Sequence, residues 1–106
     1  MADAYKTLYQ GQLPNSVGTL ATVGGGKSWI AKHISIVNTT SGAVTFQLFK
    51  NGTTGAYAIT QAAMSVPANG LAEWDGTEAL AAAEYIAGVA SASTSLSCTI
   101  SGDEVS

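Results

Sequence analysis

Carboxylate side chains and one histidine are the groups in this sequence that could support acid–base or metal chemistry. The acids Glu73, Asp75, Glu78 and Glu84 form the densest acidic group, and Glu73 and Asp75 point to one side if their segment is a strand. Paired carboxylates could bind calcium or act on a glycosidic bond. A histidine-based metal site would need carboxylates, since His33 has no local partner. We expect an exposed or docking edge here, with no metal, no cofactor and no catalytic residue.

The Gly-Lys-Ser sequence at 26–28 has the ending of a phosphate-binding loop. That motif requires a glycine where this chain has Ala21, and it requires a helix to follow, so that the helix N-terminus meets the phosphate. Here a β-branched and aromatic segment follows. We therefore interpret residues 24–27 as a glycine-rich hairpin loop.

Nucleophilic catalysis finds no support in the sequence. Cys98 is the single cysteine, which excludes an intrachain disulfide, and it alternates with apolar residues. That pattern is typical of a buried, unreactive thiol. The serines form no G-x-S-x-G elbow. We therefore expect a protein that is not an enzyme.

Aromatic side chains could form a sugar-binding face if they lay on one surface. Aromatic residues of small β-domains more often fill the core or an interface. Sugar binding is therefore the second hypothesis. The candidates are Trp29, Trp74, Tyr5, Tyr9, Tyr57 and Tyr85.

Strands must position these side chains, because apolar and polar residues alternate along most of the chain. About eight strands are predicted among nine candidate segments, which are 5–10, 18–23, 28–39, 43–50, 56–61, 63–66, 71–75, 84–91 and 95–101. In 28–39 the alternation places Ile30, Ile34 and Ile36 on one face and Trp29, His33 and Val37 on the other. Turn signals every 8–12 residues indicate an all-β sandwich or small barrel that forms one domain over residues 1–106.

One segment has helical character. Residues 77–85 have high helix propensity, and Asp75 with Glu78 three residues later could form a capping box. The apolar residues do not follow a helical stripe. We predict at most one short helical turn near 77–83, leading into the next strand.

The composition is poor in charge and rich in apolar residues. Charged residues make up 10% of the chain and hydrophobic residues 46%, whereas an average soluble protein has about 25% charged residues. Interface cores are depleted of charge, so we expect partner subunits to cover much of the surface. All four lysines lie in residues 1–53, and six of the seven acids lie in 54–106. Either exposed strand ends or docking between subunits would explain this asymmetry.

Nucleic-acid, membrane and secretory roles are not supported. The sequence has no arginine and no basic cluster for phosphate contacts. The longest apolar stretch, 79–90, contains Glu84 and is too short to span a membrane. The segment MADAYKTLYQ lacks the apolar region of a signal peptide. We expect synthesis in a cytoplasm, with export only inside a larger particle.

Four segments carry a family resemblance through their order and spacing. They are LYQGQLPNSVGTLATVGGGKSWIAKHISIVNTTSGAVTFQLFKNG, VPANGLAEWDGTEAL, EYIAGVAS and TISGDEVS. Together they resemble small virion structural proteins of tailed bacteriophages, over nearly the whole chain. Ala83-Glu84 stands where that family commonly has Gly-Asp before the late strand.

The resemblance implies a fold, a location and partners. The fold is a jelly-roll-like antiparallel β-sandwich, and the protein is a capsid decoration or cement protein that stabilises the head, commonly as a homotrimer. Its partners are the major capsid protein or other virion proteins, and its location is the virion, after synthesis in the host cytoplasm. The alternative is a tail, collar or fibre component that binds a host surface or carbohydrate. We predict Trp29, His33 and Trp74 at or near subunit or shell contacts.

Overall fold

The computed structural model describes residues 3–52, 57–60, 64–92 and 94–105, and eight strands lie within them. The strands are β1 (Asp3–Gln12), β2 (Gly18–Thr22), β3 (Ser28–Asn38), β4 (Val44–Lys50), β5 (Met64–Val66), β6 (Leu71–Leu80), β7 (Tyr85–Ala90) and β8 (Leu96–Val105). The predicted strand 56–61 lies partly outside the described residues. Residues 57–60 form no strand, although Ala58 makes one bridge to Phe49.

The strands form two antiparallel four-stranded sheets. Sheet A has the order β1-β8-β3-β6, and sheet B has the order β2-β7-β4-β5. Every connection except β4 to β5 crosses from one sheet to the other. This order is that of a jelly roll, which combines two Greek keys in a double-sheet sandwich. The predicted all-β, jelly-roll-like sandwich is confirmed.

The core lies between the sheets and follows from the alternation of apolar residues. In β8, Leu96, Cys98 and Ile100 are fully buried, because every second residue of a strand points to the same face. In β4, Phe46 and Leu48 meet them from the opposite sheet as members of the same cluster. The predicted burial of Cys98 is confirmed, and this burial raises the pKa of its thiol to about 12.

A β-bulge in β3 changes which residues face the core. The pairing register of β3 shifts between Ala31 and His33 against both of its neighbours, β6 and β8. An extra residue at such a point reverses the inward and outward alternation that follows. Trp29 and Ala31 are therefore buried before the bulge, whereas Ile34 is buried after it. His33 and Val37 share the outward face as predicted, but the prediction that Trp29 joins them is wrong, because strict alternation was assumed through the bulge.

Gly102 of β8 lies against this bulge. A Cβ atom at this position would overlap the carbonyl oxygen of Ile30 and lie 2.9 Å from the Cα atom of Ala31. The clash is with backbone atoms, so no side-chain rotation would relieve it. A glycine is thus required where the two strands approach most closely.

Strand β6 is twice as long as the sequence predicts. It covers ten residues, Leu71–Leu80, and its second half pairs with β3 through Leu80 with Trp29 and Glu78 with Ala31. The predicted strand 71–75 and the helical turn near 77–83 are therefore corrected: residues 77–80 are extended, and residues 82–83 form a tight turn. Pairing with a central strand outweighs local helix propensity here.

Asn38, at the end of β3, is a buried polar residue that connects the two sheets. Its Nδ2 atom donates to the carbonyl oxygens of Gly42 (2.8 Å) and Val66 (3.1 Å), and its Oδ1 atom accepts from the backbone N–H of Thr40 (2.9 Å). Val66 belongs to β5 of sheet B. The amide therefore satisfies three backbone groups that its burial would otherwise leave without partners.

Candidate functional surface

His33 occupies the outward side of β3, directly opposite Asp75 of the edge strand β6. Its Nδ1 atom lies 2.6 Å from Oδ1 of Asp75, and its Nε2 atom lies 3.3 Å from Oε2 of Glu73. We call these three residues the His33 cluster. The side chain of His33 is 32% exposed, and those of Glu73 and Asp75 are 51% and 78% exposed. The predicted orientation of both carboxylates to one side is confirmed.

The two ring nitrogens of His33 face different carboxylates, which favours the imidazolium form. A neutral imidazole has a single N–H and can donate to one carboxylate only. The hydrogen bond to Asp75 raises the pKa of His33 above its ordinary value of 6.5. Partial desolvation opposes this shift, and the negative charges of Asp75 and Glu73 add to it. Because the two carboxylates lie on different nitrogens, they do not share a metal position with the imidazole.

The His33 cluster lies on the outward side of sheet A, within three rows of side chains that are otherwise uncharged, and we call these three rows the outer face. The Lys32–Asp103 ion pair lies on the same side, just beyond the first of these rows. Cross-strand register places Thr7, Ser101, His33 and Asp75 in one row; Gln10, Thr99, Ser35 and Glu73 in the next; and Gln12, Ser97, Val37 and Leu71 in a third. Val37 and Leu71 are direct partners and are 40% and 53% exposed. Hydroxyl, amide and aliphatic groups therefore surround one small charged cluster.

The two tryptophans predicted at subunit or shell contacts point inward. Trp29 is 7% exposed and belongs to the core, and Trp74 packs partly buried against the core opposite Ile34. Of the three residues predicted at contacts, His33 alone lies on the outer face. Contact of Trp29, His33 and Trp74 with subunits or a shell stays a prediction.

The Glu104 carboxylate, near the end of β8, contacts one indole N–H group and two lysine ammonium groups. It accepts a hydrogen bond from Nε1 of Trp29 at 2.9 Å and lies 3.3 Å from Nζ of Lys6 and 3.5 Å from Nζ of Lys27. The hydrogen bond from Trp29, followed by that from Lys6, lowers the pKa of Glu104 below its ordinary value. The carboxylate thus fixes the indole that closes this end of the core.

The charge asymmetry between the two halves of the chain is largely neutralised within the molecule. Besides the two lysines at Glu104, Lys32 lies 2.8 Å from Asp103 and Lys50 lies 3.6 Å from Glu78. Each lysine of the N-terminal half therefore pairs with an acid of the C-terminal half. The sequence could not show this, because strand order decides which residues become neighbours.

A shallow polar recess lies at one edge of the sandwich. It has a volume of about 310 Å³ and is lined by Lys50, Asn51, Tyr57, Ala58, Glu78 and Glu84. Of the aromatic residues predicted as a sugar-binding face, Tyr57 borders this recess, whereas Trp29 and Trp74 face the core. The predicted aromatic candidates do not share one surface.

Two further observations concern the described residues. No three of their His, Cys, Asp or Glu side chains converge in an arrangement that could hold a metal ion. No helix among them has the length and apolar character needed to cross a membrane.

Comparison with known proteins gives a structural likeness to a viral chain. No protein-family model and no curated protein matches the sequence. A chain from the structure of infectious bursal disease virus, Gx strain, superposes with a TM-score of 0.47 and 16% sequence identity. The match covers 97% of this chain but 31% of the viral chain, so this chain spans less than a third of that chain's length. A TM-score this low carries no argument about function, which has to rest on the residues themselves.

Proposed function

We propose that this chain is a structural subunit of a virus particle and performs no catalysis. In this proposal it decorates the head of a tailed bacteriophage, where homotrimers bind the major capsid protein and stabilise the shell. The sequence segments that resemble small virion proteins of tailed bacteriophages support the choice of particle. The observation that carries the structural role is the solid apolar interior of the jelly roll.

Jelly rolls occur in viral capsid proteins, lectins and cupins, so the fold by itself does not give the function. A jelly roll that binds a small molecule between its sheets needs a cavity of roughly 300 Å³ or more. Here aliphatic and aromatic side chains fill that space, and the void beside Trp74 measures about 30 Å³. This is room for about one water molecule. The interior therefore supports a structural part rather than an internal binding site.

The surface chemistry supports assembly into a larger particle. Because the lysines pair with acids of the same chain, the outer face of sheet A presents mainly hydroxyl, amide and aliphatic groups. The fully buried centres of protein interfaces are similarly depleted of charge. A surface of this kind suits repeated contacts with a shell better than it suits a freely diffusing monomer.

A trimer would serve this role through avidity. Three linked copies can hold a repeated surface more tightly than one copy can, without any additional contact per copy. Closed cyclic symmetry also uses the same interface patches in every subunit, so no subunit is left with an unpaired apolar interface. A stable solution mass near three times 10.7 kDa in light scattering would support this proposal. A monomer at micromolar concentration would contradict a preformed trimer.

The test of the particle role is localisation. Virus particles from a lysate that contains this chain would be separated on a density gradient and labelled with an antibody against the chain. We expect the chain to migrate with intact particles and the gold label to lie over the heads. A label over tails or fibres would replace the decoration role with the tail alternative. Recovery of the chain only in the soluble fraction would refute a virion role altogether.

A further inference from the structure

The outer face of sheet A carries a small excess of negative charge at one place. Glu73 and Asp75 provide two carboxylates, and His33 provides at most one positive charge. The remaining residues of the three rows are uncharged. A partner that covers this face has to supply a cation next to the His33 cluster, because burying an unpaired carboxylate is costly.

A second copy of this chain is poorly suited to supply that cation. Its four lysines lie within 3.6 Å of carboxylates of their own chain. A two-fold contact whose axis runs across the strands, along the middle row, would in addition place Glu73 of one copy against Glu73 of the other, which is destabilising. Charge complementarity therefore favours a different protein as the occupant.

We infer that the outer face of sheet A docks onto a different protein whose surface is flat and uncharged except for a lysine or arginine that binds Glu73. This inference rests on the proposed function, which makes that protein another component of the virion. The partner's cation takes the place of the imidazole beside Glu73. Val37 and Leu71, the exposed apolar pair in the third row, provide the apolar part of the contact, from which water is excluded.

The size of the outer face predicts weak binding by each copy. Four strands spaced about 4.8 Å apart, with three rows of side chains, present a surface on the order of 400 Å². A stable protein interface buries about 800 Å² on each partner. Single copies should therefore dissociate readily, and multiple copies on a repeated surface should remain attached.

The first test uses two valines that are equally exposed. Val37 lies on the outer face and is 40% exposed, and Val17 lies in the loop between β1 and β2 and is 41% exposed. Val37→Lys and Val17→Lys add the same charge to the same type of exposed site. The probe is virus particles lacking this chain, and binding is measured by co-sedimentation over a range of protein concentrations. We expect Val37→Lys to weaken binding by about tenfold or more and Val17→Lys by no more than about twofold.

The second test removes the acids of the His33 cluster. The double variant Glu73→Gln/Asp75→Asn should bind the same particles about tenfold more weakly, and added salt should weaken the wild type more than this variant. Glu84→Gln is the matched control. Glu84 lies away from the outer face and accepts a hydrogen bond from the N–H of Ala81, which glutamine can also accept.

The outcomes separate this inference from the function on which it rests. If the wild type binds particles but Val37→Lys and the double variant bind equally well, the docking face is wrong and the virion role stands. Equal weakening by Val17→Lys and Val37→Lys would attribute the effect to net charge and would also overturn the inference. If the folded wild type does not bind at all, the proposed function fails, and the inference fails with it. Thermal unfolding of each variant verifies that it is folded.

Discussion

Substituting Asn38 with alanine tests whether one buried amide holds the two sheets together. Asn38 is 1% exposed and bonds the carbonyl oxygens of Gly42 and Val66 and the N–H of Thr40. Val66 lies in β5, whereas Asn38 ends β3, so one of these bonds runs between the sheets. Alanine would remove these three bonds to backbone groups and also the contact of 2.7 Å between the Thr40 hydroxyl and the amide oxygen, and it would leave the backbone groups buried.

The expected loss follows from the number of bonds. A hydrogen bond within a folded protein contributes about 1 kcal/mol net, so three bonds amount to about 3 kcal/mol. Buried groups left without partners can add to this loss. The free energy of unfolding of a native protein is about 5–15 kcal/mol, so the Asn38→Ala variant would lose a large part of its stability. The free energy of unfolding falls by about 2 kcal/mol for each molar increase in urea, so the urea concentration at the unfolding midpoint should fall by about 1.5 M.

Equilibrium urea unfolding, followed by tryptophan fluorescence, measures this change. Trp29 is buried and Trp74 is partly buried against the core, so unfolding moves both indoles into water. Asn15→Ala is the matched control, because Asn15 is exposed in the loop between β1 and β2. Its free energy of unfolding should stay within about 0.5 kcal/mol of the wild-type value.

An Asn38→Ala loss below about 1 kcal/mol would refute the role assigned to this amide. Asn38→Asp provides a second check. Its carboxylate keeps the acceptor for Thr40 but faces the carbonyl oxygens of Gly42 and Val66, to which it cannot donate. It should therefore be at least as destabilising as alanine, and near-wild-type stability of this variant would show that the two donated bonds are unimportant.

Three further predictions concern the bulge, the His33 cluster and the buried thiol. Gly102→Ala should lower the Tm by about 10 °C or more, because its methyl group would overlap the backbone of β3. Gly25→Ala is the control, since an added methyl group there meets no atom within 4 Å and should change the Tm little. Similar Tm values for the two variants would contradict this prediction. The unfolding free energy should decrease as pH rises from about 6.5 through the raised folded-state pKa of His33, since the stabilising imidazolium is lost there, and His33→Gln should flatten the profile. If both proteins gave the same pH profile, the cluster would not stabilise the fold. The Cys98 thiol, with its pKa of about 12, should react with a thiol reagent only after unfolding, so rapid reaction of native protein would disprove its burial.

Much of the fold could be predicted from the sequence because strands are specified locally. Alternation of apolar residues placed β3, β4 and β8 and predicted a buried Cys98. The glycine-rich segment 24–27 forms a loop as predicted, in which Gly26 has a φ of 75° and the N–H of Lys27 bonds the carbonyl oxygen of Gly24. It is not the predicted hairpin loop, because it connects β2 of sheet B to β3 of sheet A. These features depend on residues close together in the chain.

Prediction was less successful where a neighbouring strand decides the outcome. The bulge at Ala31–His33 follows from pairing with β6 and β8, and it places Trp29 in the core instead of on the face of His33 and Val37. Residues 77–80 are helix-favouring in isolation but extended in β6, because β3 provides backbone partners for them. No local pattern contains this information.

The sequence by itself determined the fold class, the buried thiol and the opposite charges of the two halves of the chain. The tertiary structure decided which of these charges meet. Jelly-roll strand order places β8 between β1 and β3, and so brings the acids of β8 to lysines far away in the chain. It also places His33 between Glu73 and Asp75, some 40 residues away, among rows of side chains that are otherwise uncharged. Register between strands that are distant in sequence sets these neighbours, and register is fixed only when both sheets close on one core.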